Sequence, residues 1–275
     1  MKFKMSKQSK KHGRMVSYVY RLVYRLNPSF ERYEKLVEGG HVLRPHYAYA
    51  LVSTAKEAVK LGYRKISILE FGCAGGSGLV DLEYIGNQIS EVLKIEFEIY
   101  GFDAGTGLPQ SNDYRDCLYM WSAGEYSMDR VKLEKYLNTT RLIIGDTKDT
   151  VPEFIKEKAH APIGVVFIDV DYYTSTKSCL NIFNYSDNNY LPRVFVYLDD
   201  TLLTSESTGE LLAVNEYNKN NKNNKNISVD TLLAEKMSLK WRNWIYLGKK
   251  FYHWHNFNHK EYSTPIIGND KELKL

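Results

Sequence analysis

Five short apolar runs in this 275-residue sequence each end in a carboxylate. ISILE closes on Glu70, EIYGFD on Asp103, RLIIGD on Asp146, GVVFIDVD on Asp169 and Asp171, and VFVYLDD on Asp199 and Asp200. One acid in such a place reads as a helix cap. Five in succession describe an acidic rim, able to hold a cation, to accept hydrogen bonds from a ligand, or to carry protons. Asp169, Asp171, Asp199 and Asp200 are the denser group. Oxygen ligands without His or Cys favour Mg²⁺, Ca²⁺ or Mn²⁺ over zinc. Such an ion binds two neighbouring hydroxyls of an acceptor and lowers the pKa of one. The plainer reading is that Asp199 and Asp200 cap the next segment and Asp169 serves structure.

The turn after Glu70 is the second chemical feature. Gly72, Cys73, Ala74, Gly75, Gly76 and Gly78 put four glycines into seven positions. Their spacing departs from the dinucleotide fingerprint, and the acid before them would repel a pyrophosphate. A cationic ligand without phosphate, S-adenosylmethionine, suits the turn better. Its methionine part would lie on the glycine backbone, with Glu70 beneath the positive region. Asp103 would accept from the ribose diol, and Asp146, beside Thr147, from the adenine amine. The alternative is a tight strand-to-helix turn with capping acids and no ligand.

Apolar periodicity supplies the elements that position these residues. Strands are expected at 66–71, 97–102, 141–144, 164–168 and 194–198. Helices are expected at 46–61, 79–93, 129–137, 150–158, 174–183 and 209–218. Alternating strands and helices predict an α/β, Rossmann-like, doubly wound and mostly parallel sheet, whose ligands lie at the carboxyl ends of the strands. The expected domains are a basic tail and helix over 1–42, a catalytic domain over 43–262 and a tail over 263–275. Within the catalytic domain, 103–127 reads as a lid whose Tyr114, Arg115, Tyr119, Trp121 and Tyr126 line an acceptor pocket, or as a packed surface loop. NKNNKNNKN, residues 218–226, reads as an exposed loop, and WRNWIYL and KKFYHWHNF as closing strands.

Charge is unevenly spread. Residues 1–26 hold eight of the 37 Lys and Arg and none of the 33 Asp and Glu, leaving 29 basic against 33 acidic residues in the body. MVSYVYRLVYRL is either a solvated tail leading into a packed helix, or a basic amphipathic helix in peripheral contact with an anionic membrane or a partner. The acidic body argues against nucleic acid. Three scattered cysteines form no disulfide framework and indicate a reducing, cytoplasmic compartment. No run of 18 apolar residues predicts a membrane span.

Taken in order, LEFGCAGGSG, GFDAGTGLP, GDTKDTVP, FIDVDYYTSTKSCL, YLDDT and GELLAVNEYN resemble the macrocin O-methyltransferase family of class I S-adenosylmethionine-dependent methyltransferases. The resemblance covers roughly residues 43–262. It implies a methyl donor, a Mg²⁺ ion held by Asp171, Asp199 and Asp200 with Asp169 adjacent, and a saccharide hydroxyl as acceptor, as in surface-polysaccharide or natural-product synthesis. It also implies that a homo-oligomer forms in some members. Two departures stand out: Thr201 replaces an aromatic after the paired aspartates, and AGTG follows Asp103. The catalytic set is then Asp171 and Asp169, with His253, His255 and His259 as general-base candidates by chemistry alone. The rival class is a methyltransferase-fold binding protein that has lost its chemistry.

Overall fold

The computed structural model describes residues 28–157, 160–201, 205–221, 224–230 and 250–265. The basic segment 1–26, WRNWIYL and most of the C-terminal tail lie outside these residues. Two helices lead in: α1 (Phe30–Glu38), which Ser29 caps by accepting from the Arg32 N–H, and α2 (Pro45–Lys60). Then follow β1 (Lys65–Phe71), α3 (Ser77–Leu93), β2 (Glu96–Asp103), α4 (Arg130–Glu134), β3 (Arg141–Ile144) and α5 (Thr147–Glu157). β4 (Ile163–Ile168), α6 (Tyr173–Leu180), β5 (Tyr190–Leu198), α7 (Gly209–Asn220), β6 (Lys225–Val229) and β7 (Phe251–Asn256) complete the order.

The seven strands form one sheet in the order 3-2-1-4-5-7-6. β1 to β5 are parallel, and β7 runs antiparallel between β5 and β6. Alternation along the central strands divides the core in two. Ile66, Ile68, Val165, Phe167, Phe195 and Tyr197 face α1, α2 and α3. Leu69, Phe71, Val166, Ile168, Val194 and Val196 face α5, α6 and α7. β4 is buried on both sides, as parallel strands between helices are, so GVVFI reads as an unbroken apolar run. α1 adds Tyr33, Leu36 and Val37 to the first face. No helix of the described residues is long and apolar enough to cross a membrane.

The polar NKNNKNNKN stretch is not all loop. α7 continues to Asn220, and β6 begins at Lys225. Lys225 pairs with Asp187 at 3.0 Å and lies 5.3 Å from the Trp254 ring centre, so its ammonium is sheltered while its backbone joins the sheet. A strand that buries a lysine against tryptophan carries no apolar alternation to read.

Glu83 of α3 fixes the entry to β3. It accepts from the backbone N–H groups of Asn138, Thr139 and Thr140 and from the Thr140 hydroxyl at 2.7–3.0 Å. Burial opposes its ionisation, yet these donors prevail and pull its pKa down to about 2. The resulting stability is complete above the unfolded-state value of 4.5 and is lost as pH falls toward 2. Glu83→Gln is expected to cost on the order of 3 kcal/mol at pH 7 and progressively less below pH 4. Acid titrations of Tm test this; a cost equal at pH 3 and pH 7 would refute it.

Candidate functional site

The carboxyl ends of β1, β2, β4 and β5 meet at one cavity of about 680 Å³, walled on its outer side by the 103–127 segment. At β1 the chain turns through Gly72, whose φ of +81° suits glycine. A Cβ there would stand 1.7 Å from the Asp169 carbonyl oxygen, so β1 and β4 converge in a way that only glycine allows. A Cβ on Gly78 would stand 2.0 Å from Glu70 Oε1, and one on Gly76 2.1 Å from Leu133. Gly75 faces open space.

These contacts redistribute the roles expected of the turn. Gly72 and Ala74 line the cavity, whereas Gly75, Gly76 and Glu70 do not. Glu70 is buried behind the turn, where it accepts from the Tyr47 hydroxyl at 2.7 Å, and burial pushes its pKa up to about 7. The Cys73 thiol is buried too; its contribution is a backbone N–H. That N–H and the one from Ala74 both reach Asp103 Oδ2 at 2.8 Å, and the Gly105 N–H reaches Oδ1 at 2.6 Å. Asp103 therefore ties the glycine turn to its own loop, with one lone-pair direction of Oδ1 remaining for a ligand. Asp146 and Thr147 stand in the same wall.

Facing them is the second acid group. Carboxylate oxygens of Asp169, Asp199 and Asp200 all lie within 4.8 Å of one another. The expected trio was Asp171, Asp199 and Asp200. The structure puts Asp169 in the tightest group, with Asp171, a left-handed residue (φ +59°), beside it in the cavity wall and hydrogen-bonded to Asp200. Compensation is incomplete. Lys250 and the Tyr197 hydroxyl reach Asp199 Oδ1 at 3.0 and 2.5 Å. Behind the pair, fully buried Glu210 accepts the Asp200 N–H at 2.8 Å, and its Oε1 has no hydrogen-bond partner. Burial, with the neighbouring carboxylates, raises Asp171 to about 7 and Asp200 to about 6, and drives Asp169 and Glu210 well upward. An all-oxygen group with excess negative charge and an orphaned buried oxygen behind it fits a hard divalent cation.

His253 and His255 are not brought to this rim. β7 is antiparallel, so they pair with Phe195 and Arg193, away from the carboxyl end of β5. His255 is engaged by the Tyr262 and Ser228 hydroxyls at 2.8 and 2.9 Å, and burial pushes both histidines down. His259 is buried and accepts from the Glu261 N–H at 3.1 Å. Of the lid residues, Trp121 and Tyr126 line the cavity. Tyr114 and Tyr119 are about four-fifths exposed, and Arg115 packs over Tyr173. Sequence reasoning missed Glu210, Tyr197 and Lys250. A glutamate opening a helix reads as a dipole partner, and nothing in KKFYHWHNF pairs Lys250 with an acid some fifty positions earlier.

No protein-family model and no curated protein sequence matches the chain. Among solved structures, the O-methyltransferase NovP superposes with a TM-score of 0.50 at 15% identity, over 74% of this chain and 76% of that one. The calicheamicin methyltransferase CalS11 follows at a TM-score of 0.46 and 21% identity, over 78% and 87%. Among the described residues, the strand order, with β7 antiparallel, and the likeness to NovP together give this chain the seven-stranded α/β fold that NovP has.

Proposed function

We propose that the protein is an S-adenosylmethionine-dependent O-methyltransferase that uses Mg²⁺ and acts on a hydroxyl of a saccharide or similar small acceptor. One observation carries this: a glycine turn knitted by Asp103 and a compact carboxylate group face each other across a single cavity. NovP, which shares the fold, is an O-methyltransferase. Asp103, Asp146 and Thr147 hold the nucleoside, and the backbone at Gly72 and Ala74 passes along the methionine part. Asp169, Asp199 and Asp200 hold the cation, with Glu210 fixing the Asp200 backbone. Asp171 lies beside this trio in the cavity wall and accepts the acceptor's hydroxyl proton. When bound, the donor supplies an electrophilic methyl group and the cation lowers the pKa of the hydroxyl. What the chain contributes is mostly alignment in a site shielded by the lid.

Calorimetric titration with S-adenosylmethionine, with and without Mg²⁺ and with NAD as control, tests the reading. Micromolar donor binding and none of NAD are expected, and donor-supported transfer to a panel of sugars should then require the metal. A folded chain that binds no donor overturns the proposal. Asp103→Ala removes three charge-assisted acceptor contacts and is expected to weaken donor binding at least ~100-fold. Unchanged affinity would remove Asp103 from the donor site.

A further inference from the structure

Asp171 holds a left-handed conformation that residues other than glycine rarely keep unaided. The grip on it comes from the lid. The three residues that follow Asp171 are each engaged by one of three consecutive lid residues. Tyr172 is buried in a small cluster with Cys117 and Trp121. Tyr173 lies under Arg115, whose guanidinium carbon is 4.2 Å from the ring centre and whose Nη1 is 3.0 Å from the hydroxyl. Thr174 gives both its backbone N–H and its hydroxyl to Asp116, at 2.8 and 2.9 Å.

Asp116 is itself fully buried and also accepts from the Ser111 hydroxyl at 2.5 Å. It does not line the cavity. A buried carboxylate is costly unless its acceptors are filled, and two of the three side-chain contacts of Asp116 go to Thr174, the third to Ser111 of its own lid. Asp113, paired with Arg115 at 2.7 Å, anchors the lid side of the contact, and the Tyr173 hydroxyl donates to Glu216 of α7 at 2.6 Å. Lid, α6 and α7 thus close on the residues just after Asp171.

We propose that Asp116 is a positioning residue for Asp171: by holding Thr174 it fixes the turn that presents the Asp171 carboxylate to the cavity, so that lid and Asp171 are ordered as one unit. This rests on the role given to Asp171 above. Motion of the lid for acceptor entry then belongs to its tip near Tyr126, since movement at 115–117 would release Asp171.

The test compares hydrogen exchange of the full chain with its Asp116→Ala and Asp116→Asn variants, read by mass spectrometry in Mg²⁺. Asp116→Ala is expected to speed exchange at least ~tenfold in both the 104–128 and the 170–176 peptides. S-adenosylmethionine affinity should stay within about threefold, because Asp116 itself does not line the cavity. With a sugar acceptor from the screen, kcat falls while the donor KM holds. Asp116→Asn, whose amide oxygen still accepts from the Thr174 N–H, restores most of both effects and remains informative if the alanine variant does not fold. Faster exchange in the lid with 170–176 unchanged would overturn the proposal, as would an unchanged kcat. A wild-type chain that binds no donor overturns the function above instead, and the exchange comparison still decides the coupling.

Discussion

Asp171→Asn is expected to lower methyl transfer by about 10²–10⁴-fold, the usual worth of a positioned general base. Donor affinity should barely change, because Asp171 takes no part in the contacts by which Asp103 holds the glycine turn. The same substitution should stabilise the metal-free protein. Burial and Asp200 raise the folded-state pKa of Asp171 to about 7 from an ordinary 3.8. Between those values the folded chain keeps a proton that the unfolded chain has released, so stability falls as pH rises through the window. Asparagine carries no such penalty. The variant should therefore gain on the order of 2 kcal/mol at pH 8 in EDTA and nothing below pH 4. Saturating Mg²⁺ should shrink the gain, since the cation already offsets the repulsion. Activity lost while stability is gained marks a site residue rather than a structural one. Loss of donor binding in parallel with activity, or a variant less stable at pH 8, would remove Asp171 from this role.

Legibility in the sequence followed the physics of each signal. The parallel sheet could be read because strands buried on both faces leave apolar runs such as GVVFI, and acids that end five such runs must share one edge of the sheet. What escaped depended on contacts between distant positions. That Glu70 faces Tyr47 rather than the cavity follows from the packing of α2 on β1, which nothing in ILEFG encodes. The exchange of Asp169 for Asp171 in the tight trio follows from a left-handed φ at a non-glycine residue, which sequence does not announce. His253 and His255 looked reactive by type, but the antiparallel β7 sets them beside the middle of β5, short of its carboxyl end. Residue type proposes chemistry, and strand direction decides whether it is present at the site.

Gly72→Ala carries the largest expected cost in stability. The two tightest contacts of the methyl group would be main chain, which cannot turn aside: 1.7 Å to the Asp169 oxygen and 2.7 Å to its carbonyl carbon, with the Val170 side chain next at 3.1 Å to Cγ1. Neither partner is free to retreat. The Asp169 N–H is bonded to the Phe71 oxygen at 2.9 Å, and the Gly72 N–H to the Phe102 oxygen at 2.9 Å. Overpacking and the left-handed φ add, for about 3–5 kcal/mol in total. For a chain of this size that is a fall in Tm of roughly 5–10 °C. Gly75→Ala is the internal control. Its φ is not positive and no atom lies within 4 Å of the added carbon, so its effect should stay within about 0.5 kcal/mol. The site should report the same strain. Relief of the clash drives the end of β4 away from β1 and takes Asp169 out of the carboxylate trio, so the folded fraction of Gly72→Ala should bind both S-adenosylmethionine and Mg²⁺ more weakly. Melting curves of the two variants that coincide would mean that β1 and β4 do not meet at Gly72 as the structure has them. A large fall in Tm with metal affinity intact would separate the packing of the turn from the placement of Asp169.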